Sequence, residues 1–109
     1  MGYYTDFTMN YDEAVLEKLK NYADDLDIWQ LKEFCDNDGY INTKWYDMKD
    51  DMASFAKENP TVSFVVEARG EEADDLWCLK VENGKVFLAE GYIAYKEATE
   101  YVPSPKEAS

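Results

Sequence analysis

The 109-residue chain has no histidine, two cysteines and three prolines, and Arg69 is its single arginine. Each shortage excludes something. Without histidine there is no Ser-His or Cys-His nucleophile and no His-ligated zinc. Cys35 and Cys78 are too few for a structural zinc site or a disulfide framework. The stretch from Met1 to Asp6 has neither a charged segment nor an apolar one, so no secretory leader is expected. Asp6 stands where an N-myristoylation motif beginning at Gly2 wants Ser or Thr. Both cysteines are therefore expected as free thiols in a reducing, cytoplasmic setting. Cys35 lies among Glu33, Asp36 and Asp38, neighbours that disfavour a thiolate. No apolar run approaches the length of a membrane span.

Bases are scarce as well. Eleven Lys and Arg face 24 Asp and Glu, for a net charge of −13 and a pI near 4.2. Both halves of the chain are acidic, so the charge does not reside in a tail. Such a balance repels nucleic acid and anionic membrane and favours basic partners or cations. It also keeps a small protein soluble without any partner. No glycine-rich loop opens a helix, and the isolated bases form no basic face.

Apolar residues are plentiful: 46% of the chain, with 16% aromatic. That is enough for one packed domain and argues against an acidic disordered chain. Residues 3–10 alternate, with Tyr3, Thr5, Phe7 and Met9 on one side, as a strand does. Asp12 is placed to cap a helix in which Val15, Leu16, Leu19, Tyr22, Ala23 and Leu26 follow the 3.6-residue period. Ile28, Trp29, Leu31 and Phe34 read better as a second short helix than as a continuation. Asp36-Asn37-Asp38-Gly39 is a loop and Tyr40–Trp45 a short strand. Asp47 is a candidate N-cap for a helix carrying Met48, Met52, Phe55 and Ala56, which Asn59-Pro60 ends. Val62–Ala68 reads as a strand, Gly70–Asp75 as an acidic loop and Leu76–Glu82 as another strand. Asn83-Gly84 marks a two-residue hairpin turn, and Lys85–Tyr95 returns, with a break near Gly91. The order predicts an α+β domain over residues 1–102. Its antiparallel or mixed sheet has four to five strands, with two to three helices on one face. Residues 103–109 read as a disordered tail.

Asp36-Asn37-Asp38-Gly39-Tyr40-Ile41 resembles the second half of an EF-hand loop. In that register Phe34 and Trp45 occupy the first and twelfth positions, where carboxylates are required, so a polar turn is the better account. Acidic clusters at Asp47, Asp50, Asp51 and at Glu71, Glu72, Asp74, Asp75 invite magnesium or glycosidase chemistry. With so many acids, however, clusters arise by chance. No catalytic residue, metal or cofactor is expected.

Several segments together resemble a group of small uncharacterised acidic proteins of bacteriophages and mobile elements. They are Met1-Gly2-Tyr3-Tyr4-Thr5, Lys44-Trp45-Tyr46-Asp47, Asp50-Asp51-Met52, Gly70-Glu71-Glu72, Asp75-Leu76-Trp77 and Asn83-Gly84-Lys85. The element order is also similar to that of ferredoxin-like phage and plasmid proteins. The resemblance implies a protein that blocks a host defence system, such as a restriction enzyme, a CRISPR nuclease or a nucleotide-signalling pathway. The expectation is a non-enzymatic, acidic protein-binding module that occupies the basic nucleic-acid-binding surface of a host nuclease. Glu71, Glu72, Asp74 and Asp75 are its first candidate contacts, because a loop between strands is exposed and rigidly held. Asp47, Asp50 and Asp51 come second, with Trp45 and Tyr46 as an apolar anchor. Three alternatives stay open: assembly through an aromatic surface, capture of a small nucleotide near Arg69, and divalent-metal catalysis. The oligomeric state is not legible.

Overall fold

Alternation along the strands is realised as one sheet with one buried face. The structure, a computed structural model, describes residues 3–72, 74–91 and 97–103. Among the described residues the order is β1 (Thr5–Met9), α1 (Glu13–Leu26), α2 (Trp29–Asp36), β2 (Tyr40–Thr43), α3 (Met48–Glu58), β3 (Phe64–Gly70), β4 (Leu76–Glu82) and β5 (Lys85–Gly91). The strands form a single antiparallel sheet in the order β2-β1-β3-β4-β5. The α+β class and the helices on one face are as the sequence predicts.

Thr5, Phe7 and Met9 point into the core together with Ile41, Thr43, Phe64, Val66, Ala68, Leu79 and Val81. From the helices, Leu19, Ala23, Leu31, Phe34, Met52 and Phe55 are fully enclosed against them. Burying each of the larger of these side chains stabilises the fold by roughly 1.5–3 kcal/mol. Edge-to-face aromatic pairs join the layers: Tyr22 to Phe55, Phe55 to Phe64, and Phe7 to Trp45 and Trp77.

The helix ends follow local chemistry. The Asp12 carboxylate accepts from Val15 N–H at 3.2 Å, capping α1 as its position suggests. The break between α1 and α2 falls at Asp27, which is left-handed at φ 56°. In that conformation its N–H and that of Ile28 both reach the Ala23 carbonyl. Aspartate is one of the few residues that adopts this region readily. The loop resembling part of a calcium site is the stop signal of α2. Asp38 (φ 56°) and Gly39 (φ 90°) are left-handed, and Gly39 N–H bonds the Phe34 carbonyl at 2.8 Å. A Cβ on Gly39 would stand 2.6 Å from Met9 Cγ, so only glycine fits. Asn83 (φ 54°) and Gly84 (φ 75°) make the hairpin turn with both central residues left-handed.

Three expectations are corrected. Asp47 sits at the N-cap position of α3 but makes no capping bond; its backbone (φ −90°, ψ 11°) departs from the extended cap conformation and leaves the carboxylate in water. The strand expected over Tyr40–Trp45 stops at Thr43, since Trp45 turns into the core. β1 and β2, joined through two helices, are direct neighbours. The sheet therefore lacks the interleaved strand of the split β-α-β unit that a ferredoxin-like order implies. The last part of the Lys85–Tyr95 strand, and residues 104–109 of the expected tail, lie outside the described residues.

Candidate protein-binding surface

The two acidic clusters singled out from the sequence lie 20 or more residues apart, and the fold brings them to one end of the sheet. β1 starts there, β3 ends there, and α3 begins there after β2. Tyr3 is the hub. Its N–H donates to the Tyr46 hydroxyl at 2.8 Å. Its own hydroxyl donates to Asp75 Oδ2 at 2.7 Å and accepts from Glu72 N–H at 3.1 Å. Tyr4 N–H then donates to Glu71 Oε2 at 3.0 Å. The 71–75 loop and the turn before α3 are thus linked through the side chains of Tyr3 and Tyr46. Gln30 Nε2 donates to the Lys44 carbonyl at 3.5 Å, which draws the start of α2, with Asp27 just before it, to the β2 side of the same end.

The candidate residues differ in what is left of them for a partner. Glu72, Asp74, Asp47 and Asp50 are exposed, and among the described residues their carboxylates make no hydrogen bond. Glu71 is exposed but already accepts from Tyr4. Asp75 is half-buried and serves Tyr3. Asp51 is also half-buried and accepts the Trp45 indole N–H at 2.7 Å. Burial pushes the Asp51 carboxyl above its ordinary range; the indole hydrogen bond partly offsets this, and Asp47 and Asp50 add to the rise. Asp51 is therefore a structural acceptor first.

Trp45 is the clearest correction. It is 5% exposed, packed edge-on to Phe7 and tilted against Phe34. An indole enclosed by the core and satisfied by Asp51 has no surface with which to anchor a partner. Its neighbour Tyr46 is 72% exposed and remains available. Sequence alone made the two look equivalent because they are adjacent. On leaving a strand, adjacent side chains face opposite ways.

Two lysines sit at this end, each laid over an aromatic ring: Lys49 Nζ is 4.7 Å from the Trp77 centroid and Lys44 Nζ 5.3 Å from that of Tyr4. A further acidic group, Glu13, Glu17, Asp36 and Asp38, gathers around Lys20 at the opposite end of the molecule, where Lys20 pairs with Asp36 at 2.6 Å.

A concavity of about 450 Å³ lies elsewhere, on the sheet face the helices leave open. Asp6, Thr8, Tyr40, Glu67, Arg69 and Cys78 line it. Arg69 stands across the strand pair from Asp6, with Glu67 two residues away on the same face. Two carboxylates beside the one guanidinium make this a poor seat for an anionic nucleotide. Among the described residues no group of three potential ligands is placed to hold a metal ion. Cys35 is buried and its thiol is pushed up to about 12, chiefly by burial and further by Asp36. Among the described residues no helix is long and apolar enough to cross a membrane. Comparison of the chain with protein-family models, curated proteins and solved structures finds no match in any of the three.

Proposed function

We propose that the chain is a non-enzymatic protein-binding module that offers the acidic end around Tyr3 to a basic, nucleic-acid-binding surface of a partner. One observation carries this reading. Tyr3 links the 71–75 loop to the turn before α3, so Glu72, Asp74, Asp47 and Asp50 lie at the same end of the sheet with their carboxylates free. Carboxylates fixed by a rigid scaffold meet lysines and arginines without first losing loop entropy. The net charge of −13 steers encounter with a basic partner and makes association sensitive to salt. Exposed Tyr46 supplies an aromatic contact at the margin of the patch. The resemblance to phage and mobile-element proteins makes a host defence nuclease the kind of partner to look for first, bound in the cytoplasm of the host.

The test compares two tagged proteins in a bacterial lysate. One is the native chain; the other carries Asp47, Asp50, Glu72 and Asp74 changed to Lys, all four at exposed positions. The native chain retains a nucleic-acid-binding protein at low salt and releases it at high salt or when duplex DNA is added. The charge-reversed chain, with unchanged circular dichroism, retains at most a hundredth as much. Equal retention by the two proteins refutes the assignment of this surface. A partner that survives high salt instead favours the second reading, assembly through exposed aromatics such as Tyr46 and Trp29, which is 52% exposed.

A further inference from the structure

The two edges of the sheet are finished differently. β2, at one edge, is four residues long and polar on its outer face, where Tyr40 and Asn42 are tied to Asp6. β5, at the other, runs seven residues from Lys85 to Gly91. Its centre, Val86-Phe87-Leu88-Ala89, holds no charge, proline or bulge, the devices that keep sheet edges from pairing. Phe87 is 49% exposed on the open face, and Leu88 is 47% exposed on the helix side. The backbone of this edge has a definite phase. Gly70 N–H donates to the Asp75 carbonyl at 2.8 Å, in step with the β3–β4 pairs, so odd-numbered residues of β4 bond β3 and even-numbered ones bond β5. Opposite them, Lys85, Phe87, Ala89 and Gly91 bond inward. The N–H and C=O groups of Val86, Leu88 and Glu90 point outward, and among the described residues no strand pairs with them.

We infer that this edge pairs with β5 of a second copy, antiparallel about a two-fold axis at Leu88. The register follows from the phase. Leu88 of one copy exchanges both backbone bonds with Leu88 of the other, and Val86 exchanges both with Glu90, so every outward group finds a partner. A two-fold at Phe87 instead sets Glu90 against Gly84, which is left-handed in the hairpin turn and cannot continue a ladder. Side chains fit the same register. On the open face Phe87 stands opposite Ala89, a large side chain against a small one, and the reverse. On the helix side the two exposed Leu88 side chains cover each other. Charge favours a second copy as the occupant. β5 begins basic at Lys85 and ends acidic at Glu90, and antiparallel pairing brings the start of each copy beside the end of the other. It also carries the two acidic ends apart, since Asp74 and Asp75 lie beside Glu90 and Gly91. Such reciprocal contacts make an isologous interface. One strand pair is smaller than a standard protein interface, so the dimer forms in a concentration-dependent way.

Sedimentation equilibrium of the full chain, over a wide range of concentration at moderate salt, reads the association. The native chain passes from monomer to dimer. Leu88→Lys and Leu88→Glu each weaken association at least tenfold, because the axis sets like charges directly opposite each other. Mixed in equal amounts, the two variants associate again as a heterodimer, since Lys then meets Glu. That rescue separates an interface effect from a folding defect. Hydrogen exchange of the native chain gives a readout without any substitution. On passing from monomer to dimer, the amides of Val86, Leu88 and Glu90 slow at least tenfold, while those of Phe87 and Ala89, already bonded to β4, change least. A chain that stays monomeric throughout, its edge bare or taken by a strand of another protein, overturns the inference. So does a dimer that neither Leu88 variant weakens, or one that leaves those three amides unprotected.

Discussion

The end of the molecule around Tyr3 and the open face of the sheet are both exposed, but they are built from different parts of the chain. The Tyr3 end is made of termini: the start of β1, the turn into α3 and the loop between β3 and β4. Termini place few demands on side chains beyond solubility and backbone geometry, so acids accumulate there in excess of the two lysines, Lys44 and Lys49, that accompany them. The open face is made of strand interiors. There each side chain stands directly opposite another, and like charges in that position are destabilising. Asp6 accordingly faces Arg69, and Glu82 faces Lys85. The same composition therefore yields a predominantly acidic surface at one place and a balanced one at the other. The first is the surface we propose for a basic partner.

The sharpest break in the comparison runs between Trp45 and Tyr46. Trp45→Ala removes a buried indole and should cost about 3–5 kcal/mol of stability, while Tyr46→Ala removes an exposed ring and the acceptor for Tyr3 N–H and should cost about 1 kcal/mol. Urea denaturation of both variants measures the difference. If Trp45→Ala is as mild as Tyr46→Ala, Trp45 belongs to the surface after all. Next comes Asp51. Asp51→Ala leaves the Trp45 N–H buried without a partner and should cost about 1–3 kcal/mol, whereas Asp51→Asn keeps an acceptor and should cost about 1 kcal/mol at most. Because its folded pKa is raised, the native protein gains stability relative to Asp51→Asn as pH falls through that value. The gain is complete below the ordinary carboxylate pKa of about 4.

Tyr3→Phe tests whether the acidic end is held as a unit. It deletes the bonds to Asp75 and to Glu72 N–H, and should cost about 1 kcal/mol. Hydrogen exchange should quicken at Glu72 and Asp75 with β1 unaffected. The smallest effect belongs to the open face. Hydrogen bonds from Asn42 and then Tyr40 hold the Asp6 carboxyl below its usual range. Its folded pKa is depressed, so the advantage of the native protein over Asp6→Asn is present above about pH 4. That advantage vanishes as pH falls through the lower folded value. It should stay under about 1 kcal/mol at so exposed a site, read from thermal melts across pH.

Much of the fold was legible because short-range rules governed it. The period of α1, the cap at Asp12, the two-helix reading of residues 24–34 and the Asn83-Gly84 turn all depend on residues within a few positions of one another. The candidate site was legible only as a set of acids. That the 71–75 loop and Asp47 with Asp50 share one end depends on strand order, and so on pairings between residues up to 65 positions apart. Trp45 misled because burial depends on the direction a side chain takes after the strand ends. Asp51 and Asp75 misled because local sequence does not show that an acid already serves an indole or a tyrosine. The balanced face escaped notice because its charges are scattered along β1, β3, β4 and β5 and meet only in register.

The sequence by itself determined that this is an acidic α+β domain whose helices and strands fall close to where they do. Hydrophobic period and turn chemistry are local properties, and a net charge survives any folding. Only the tertiary structure decided which carboxylates remain free, which aromatic is core, and where the surface is neutral. Those properties belong to pairs of side chains, and antiparallel register sets the pairs.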